Sequence, residues 1–204
     1  ATLSLGYFQS YKEAQTYECS QQLPWLRRST GGGALLHDQE LTYSLIFPSH
    51  NLASQQVADV YDLVHKSLID TLQQFNIQAI TANATQTSDK QQDSFLCFKR
   101  RCGCDVLLSD FKIAGSAQRR NRDYVLQHGS VLTGQSVFAP ELPGIHELSR
   151  SEMNANVLQS AWVPYLRKLF NSVFVEKPLT DDEKRIVTTI QKSKFEADTW
   201  NMKR

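Results

Sequence analysis

Residues 27–38 read Arg27-Arg28-Ser29-Thr30-Gly31-Gly32-Gly33-Ala34-Leu35-Leu36-His37-Asp38. Three successive glycines are entropically costly and rarely serve packing inside regular structure. They let a backbone approach a ligand closely and let consecutive N–H groups converge on an anion or a polarised carbonyl. Arg27 and Arg28 just upstream suit the same purpose. No Gly-Lys-Ser/Thr follows, so this is not a P-loop. A bare triglycine also reads as a flexible turn. Its place just before Leu41–Phe47, where Leu41, Tyr43, Leu45 and Phe47 alternate as in a strand, favours a site.

A second segment shares the same character. Lys112-Ile113-Ala114-Gly115-Ser116-Ala117-Gln118-Arg119-Arg120 is followed by Gln127-His128-Gly129-Ser130. The small residues after Lys112 leave room for something flat or elongated, and the lysine can hold a carbonyl or phosphate oxygen. Taken alone, Lys112 reads as a solvated hairpin lysine and His128 as a satisfied core histidine.

Outward from these segments, the pattern predicts a helix over Ser54–Phe75, whose apolar residues recur at three- and four-residue spacings, and a short strand over Ile77–Ile80. Residues 81–93 are polar and read as a surface loop. Strands are expected at Phe95–Phe98, Asp105–Leu108 and Tyr124–Leu132, with a turn at Ser109-Asp110. Two helical faces surround Pro164, where a break or kink is expected. Thr180-Asp181-Asp182-Glu183 is a capping box that opens a last helix. Without strict βαβ alternation this is a mixed sheet flanked by helices, an α/β (α+β) fold.

The chain has 204 residues, enough for one domain with its own core, and 41% apolar with 21% charged residues excludes disorder. No apolar run approaches the roughly 20 residues of a membrane span. The formal charge of +1 argues against a nucleic-acid binder. Between Phe98 and Arg122, however, seven basic residues face two acidic ones, a local net of +5 that suits an anionic partner. Four cysteines are too sparse for a disulfide-built secreted domain, and the first residues carry no signal peptide, so a cytoplasmic location is expected. The chain opens without Met in what reads as a strand, so an N-terminal segment is expected to be missing.

The strings RRSTGGGALLHDQELTYS and KIAGSAQRR…VLQHGS, in this order, resemble the catalytic domain shared by lipoate-protein ligases, octanoyltransferases and biotin-protein ligases. The resemblance runs from TLSLGYFQ at the start to Asp198-Thr199-Trp200-Asn201 and implies one such catalytic domain over residues 1–204. It also implies lipoylation chemistry by one of two routes. Ligases activate lipoate with ATP and Mg; transferases move octanoate from acyl carrier protein through an enzyme cysteine, without ATP or any other cofactor. Both deliver to a lysine of a lipoyl domain or the glycine-cleavage H protein.

Cys97 lies 15 residues before Lys112, in a Cys-Phe pair that resembles the cysteine-dependent octanoyltransferases of Gram-positive type. The other octanoyltransferase type has a Pro-Cys-Gly; here the nearest equivalent is Pro143-Gly144. The chain stops soon after Trp200-Asn201, so the accessory domain of many ligases is not expected. A free thiol is mostly protonated at neutral pH, and a nearby ammonium raises the thiolate fraction. On residue type alone, Phe95-Leu96-Cys97-Phe98 reads as core. Cys97, Cys102 and Cys104 could also bind zinc or iron, but no fourth ligand is evident, and no metal is expected.

The resemblance thus implies an octanoyltransferase with Cys97 as nucleophile and Lys112 as oxyanion stabiliser. Arg28, Gly31, Gly32, Gly33, His37, Gly115, Ser116, Ala117, His128 and Gly129 would line the substrate site, the two histidines as architecture. The alternatives are an ATP-dependent lipoate-protein ligase and a non-catalytic acyl- or carrier-binding module. The basic segment would dock acidic carrier and lipoyl domains, with neither nucleic acid nor membrane as partner.

Overall fold

The computed structural model describes residues 1–48, 56–82 and 94–203. Thr2–Leu5 (β1) pairs in parallel with Trp25–Arg27 (β2) and antiparallel with Leu35–His37 (β3), forming a small sheet of order β2-β1-β3. Short helices Tyr11–Thr16 (α1) and Glu18–Gln22 (α2) join its first two strands. A larger antiparallel sheet is built from Glu40–Pro48 (β4), Ile80–Thr81 (β5), Val106–Leu108 (β6), Phe111–Arg120 (β7) and Tyr124–Leu132 (β8), in the order β4-β8-β7-β6-β5.

The helix Gln56–Gln73 (α3) covers this sheet with Val60, Val64, Leu68 and Leu72, all buried on one stripe. Across from it, Leu41, Tyr43, Leu45 and Phe47 of β4 pack into the same core while Thr42, Ser44 and Ile46 are exposed, as strand alternation requires. After Ile145–Ser149 (α4), Ala155–Leu169 (α5) packs beside α3, and the Trp162 Nε1–H donates to Ser67 Oγ at 2.8 Å. Asp181–Ile190 (α6) opens on the capping box at Thr180 and Glu183, and Asp198–Asn201 (α7) is the last helix. The mixed α+β class is as the sequence reading has it.

Four local expectations differ. Helix α5 continues through Pro164 without a break. A proline inside a helix costs about 3 kcal/mol. Leu158, Trp162 and Leu166 form one buried stripe across it, each contributing roughly 1.5–3 kcal/mol of burial, so packing wins. Phe95–Phe98 is not a strand: Leu96 makes a single bridge to Ala34, and Cys97–Lys99 is a turn of 3₁₀ helix. The strand after α3 begins at Ile80 rather than Ile77. Finally, Phe111–Arg120, read only as a lysine flanked by small residues, is a full strand, reached through left-handed Ser109 and Asp110 with φ of 47° and 64°. Residues 83–93 of the polar stretch lie outside the described residues, as does the start of the predicted helix at Ser54.

Candidate active site

The triglycine loop joins β2 to β3 within the small sheet, and Arg28 shapes it. Its Nη2 donates to the carbonyls of Gly31 and Gly33, both at 2.7 Å, and its Nη1 to the Ser4 carbonyl at 2.9 Å. Burial comes first among the influences that lower this guanidinium to about 10, with Cys97 opposing and Arg100 adding to it. Arg27 is fully buried and also serves backbone: Nη1 donates to the carbonyls of Gly6 and Gln9, and Nε and Nη2 to that of Asn201. Both arginines therefore hold chain rather than present themselves to an anion. Gly32 has φ of +93°, a conformation that favours glycine.

The loop seats Cys97. Ala34 N–H donates to the Phe95 carbonyl and Cys97 N–H to the Ala34 carbonyl, both at 2.8 Å, so the 3₁₀ turn is clamped to the end of the triglycine. The contact is tight: a Cβ on Gly33 would stand 2.9 Å from the Cys97 nitrogen. Gly32 lies beside the sulfur, 3.8 Å from where its own Cβ would be.

Lys112 reaches the same sulfur from β7. Its side chain is 4% exposed, and Nζ lies 2.8 Å from Asp105 Oδ2 and 3.9 Å from Cys97 Sγ. Burial works against the ammonium, but the Cys97 sulfur and the Asp105 carboxylate outweigh it and hold the group above the ordinary lysine range. Gly115 makes room for this side chain, since a Cβ there would stand 2.6 Å from Lys112 Cε. Strand β6 pairs with β7 only as far as Ala114. Beyond that point the Gln118 N–H serves Tyr61, and strand alternation places the Ser116 N–H on the same open edge.

A polar network supports this edge from below. The Ser116 hydroxyl bonds to His65 Nε2 at 2.6 Å and to the Tyr43 hydroxyl at 2.5 Å. His65 Nδ1 bonds to the Cys104 carbonyl, and Gln127 Nε2 donates to the Tyr43 hydroxyl at 3.2 Å. Burial lowers His65, so it is a neutral imidazole here, and burial raises Tyr43 and pushes Tyr61 up to about 12. None of Asp105, His65 and Tyr43 was singled out from the sequence as a site residue. His65 did leave a signal: it stands four residues after Tyr61 on the apolar face of α3, a polar group where only core belongs.

These elements enclose a cavity of about 400 Å³. Cys97, Lys112, Arg28, Gly31, Gly32, His37, Gly115, Ser116, Ala117, His128 and Gly129 all line it, and Gly33 stands directly behind Cys97. Leu26, Leu35 and Phe98 give it apolar surface. His128 bonds through Nε2 to Thr30 Oγ1 at 2.5 Å and is lowered to about 4, first by burial and then by Arg28 and His37. His37 bonds to Glu40 and Ser4. Of the other cysteines, burial raises Cys102 and, with Asp105 next, pushes Cys104 up to about 11, so both remain thiols at neutral pH. Among the described residues no three His, Cys, Asp or Glu side chains converge as a metal set, and no helix is long and apolar enough to cross a membrane.

The basic segment does not survive as one face. Lys112 and Asp105 are buried against each other, and Lys99 pairs with Glu141 at 2.8 Å. Arg119 and Arg120 remain exposed. The fold brings two distant lysines to the Arg119 side: Lys194 lies near enough to Arg119 and Lys203 to be lowered by both, after burial, and both lysines stand over the Trp200 ring, at 4.2 and 3.7 Å.

Residues 1–157 match the lipoyl protein ligase A/B catalytic domain. The chain belongs to that family. Octanoyltransferase LipM of Clostridioides difficile is 31% identical, over 100% of this chain and 84% of that protein. Octanoyltransferase LipM of Anoxybacillus flavithermus is 30% identical, over 100% and 83%. Among solved structures, a putative lipoate protein ligase from T. acidophilum superposes with a TM-score of 0.80 at 18% identity, covering 100% of this chain and 82% of that one. Lipoate-protein ligase A bound with ATP gives 0.79 at 18% identity, covering 98% and 81%. At such identities the structural likeness is one of fold, and it places the two sheets and their helices in the lipoyl ligase architecture.

Proposed function

We propose that this chain is an octanoyltransferase of protein lipoylation, which takes octanoate from acyl carrier protein onto Cys97 and passes it to a lysine of a lipoyl domain or glycine-cleavage H protein. The observation that carries the reading is the Cys97 sulfur 3.9 Å from a buried ammonium on the wall of a cavity with apolar surface, in a chain whose full-length relatives are named octanoyltransferases. The family resemblance suggests the roles, and the geometry supports them.

In the first half-reaction the Cys97 thiolate attacks the thioester carbonyl carbon. Negative charge gathers on the carbonyl oxygen, where the Lys112 ammonium and the Ser116 N–H are positioned to meet it. The carbon–sulfur bond to the donor then breaks, and the donor sulfur departs as a thiolate that takes up a proton. In the second half the uncharged amine of the acceptor lysine attacks the Cys97 thioester; the amide forms, the amine loses a proton and Cys97 leaves as thiolate. Thioester exchange is nearly isoenergetic and the amide is downhill, so the sequence needs no ATP and no other cofactor. Arg119, Lys194 and Lys203 form the face for the acidic protein partners, and transfer should weaken with salt.

The test is incubation with octanoyl-carrier protein in the absence of ATP, followed by intact mass. One octanoyl group on the wild type and none on Cys97→Ser is the expected result. Lipoyl-domain modification that requires ATP and survives Cys97→Ser would instead assign the chain to the ligases, and octanoate binding without transfer would assign a non-catalytic module.

A further inference from the structure

His65 is 1% exposed on the face of α3 that covers the large sheet, where a hydrocarbon side chain would fill the space without needing partners. A buried imidazole has two nitrogens to satisfy, and this one satisfies both on two different segments of the site. The Cys104 carbonyl can only accept, so Nδ1 carries a proton toward it. Nε2 lies 2.6 Å from the Ser116 hydroxyl. Cys104 precedes Asp105, the partner of Lys112, and Ser116 follows Gly115, where a Cβ would stand 2.9 Å from Lys112 Nζ. One ring therefore ties the segment that holds the ammonium to the segment that carries the neighbouring N–H.

The tie falls where the sheet gives out. Strand β6 pairs with β7 no further than Ala114, and beyond it side chains of α3 take the place of a strand. Tyr61 and His65 are four residues apart, about 6 Å along a helix, and two residues of strand span roughly 6.7 Å, so the pair falls in step with Gln118 and Ser116. Tyr61 takes the Gln118 N–H, and His65 takes the Ser116 hydroxyl. Opposite Ser116 on β8 stands Gly129, where a Cβ would lie 2.6 Å from Ser116 Oγ. The glycine leaves the hydroxyl room to turn toward His65, and the Ser116 N–H stays on the open edge between the two anchors.

We propose that His65 is a positioning residue for acyl transfer: by fixing the open edge of β7 against the Cys104–Asp105 segment, it makes the Ser116 N–H and the Lys112 ammonium converge on one developing oxyanion. Its role in the reaction rests on the octanoyltransferase reading; the tie itself rests on the hydrogen bonds. His65 lies behind the cavity wall and acts through Ser116, which is on it.

Two reactions of Cys97 separate this role from a general structural one. Attack on a thioester gathers charge on the carbonyl oxygen, whereas alkylation by iodoacetamide displaces iodide and forms no oxyanion. His65→Asn keeps an amide donor within reach of the Cys104 carbonyl and stops short of Ser116. Single-turnover acylation of the full chain by octanoyl-carrier protein should be about 10- to 100-fold slower in this variant, the scale of a displaced oxyanion donor. Its Cys97 should be alkylated at the wild-type rate. Ser116→Ala cuts the same tie from the other end, so it should show the same split and, added to His65→Asn, should slow acylation no further. Acylation at the wild-type rate in either variant, alkylation falling in step with acylation, or additive losses in the double variant would overturn the proposal. If His65→Asn does not fold, Ser116→Ala decides by the same two rates. Should the wild type take up no octanoyl group, the octanoyltransferase reading fails by itself, and hydrogen exchange of residues 115–118 then tests the tie. Faster exchange in His65→Asn is expected, and exchange equal to wild type overturns it.

Discussion

Cys97 and Cys104 stand close together in sequence, both half-buried, on either side of one buried ion pair. Cys97 faces the Lys112 ammonium and the open triglycine loop. Cys104 faces the other partner: its thiol is pushed up to about 11 by burial first and by Asp105 next, and its carbonyl is bound to His65. The same residue type thus becomes a candidate nucleophile or an inert thiol according to which end of the pair it meets. Apolar neighbours do not decide it, for Cys97 has the more apolar ones.

The largest break in this contrast comes from Cys97→Ser, which should lower acyl transfer by 10³-fold or more, on the order expected for loss of a covalent nucleophile. Cys104→Ser and Cys102→Ser should stay within about threefold of wild type, because neither thiol contributes a thiolate at neutral pH. Alkylation with iodoacetamide at pH 7, read by peptide mass, should modify Cys97 first. Preferential labelling of Cys104 would reverse the assignment.

Asp105→Asn should blur the contrast from both sides. It leaves the Lys112 ammonium without its buried counter-charge, a change on the order of 3–5 kcal/mol in stability, seen as a lower denaturation midpoint. It also removes a charge that raises Cys104, so the alkylation rate of Cys104 should climb while transfer falls about 100-fold. A variant of wild-type stability would show that the pair is not the organising element. Gly115→Ala is a milder probe. The added methyl would meet Lys112 Cε at 2.6 Å and displace the lysine from the sulfur, with kcat lowered about tenfold and the fold retained.

The sequence shows the site better than it shows what holds the site. Glycine runs, a lysine among small residues and a Cys-Phe at a set distance are local patterns, and every residue read from them lies in or against one cavity. Asp105, His65 and Glu40 act through partners up to 90 residues away, as in the bond from Ser130 to Glu40, and no local pattern marks such pairings. Asp105 was visible only as the start of an expected strand and as a minus sign in a charge count. That count misread the basic segment too, because burial of Lys112 against Asp105 removes both from the surface. The fold errors share this cause. Pro164 and the Phe95–Phe98 run were judged on local propensity, and tertiary contacts to α3 and to Ala34 decided them otherwise.

The two histidines repeat the contrast of the two cysteines on a smaller scale, His128 on the Cys97 cavity and His65 beneath Ser116 beside the Cys104 carbonyl. Both are lowered by burial, His128 to about 4. The unfolded chain takes its proton near the ordinary value of about 6.5, before the folded one does, so unfolding gains protons as the pH drops. The stability tied to neutral His128 is therefore complete above about 6.5 and lost as the pH falls toward about 4. Because the ring is only half-buried, solvent screening limits this to roughly 1 kcal/mol, or about 2–4 °C in Tm. His128→Gln keeps a polar group within reach of Thr30 Oγ1 and does not titrate. The drop in Tm between pH 7 and pH 5 should be smaller in this variant than in the wild type by that amount, and a drop of equal size would mean that the fold does not lower His128.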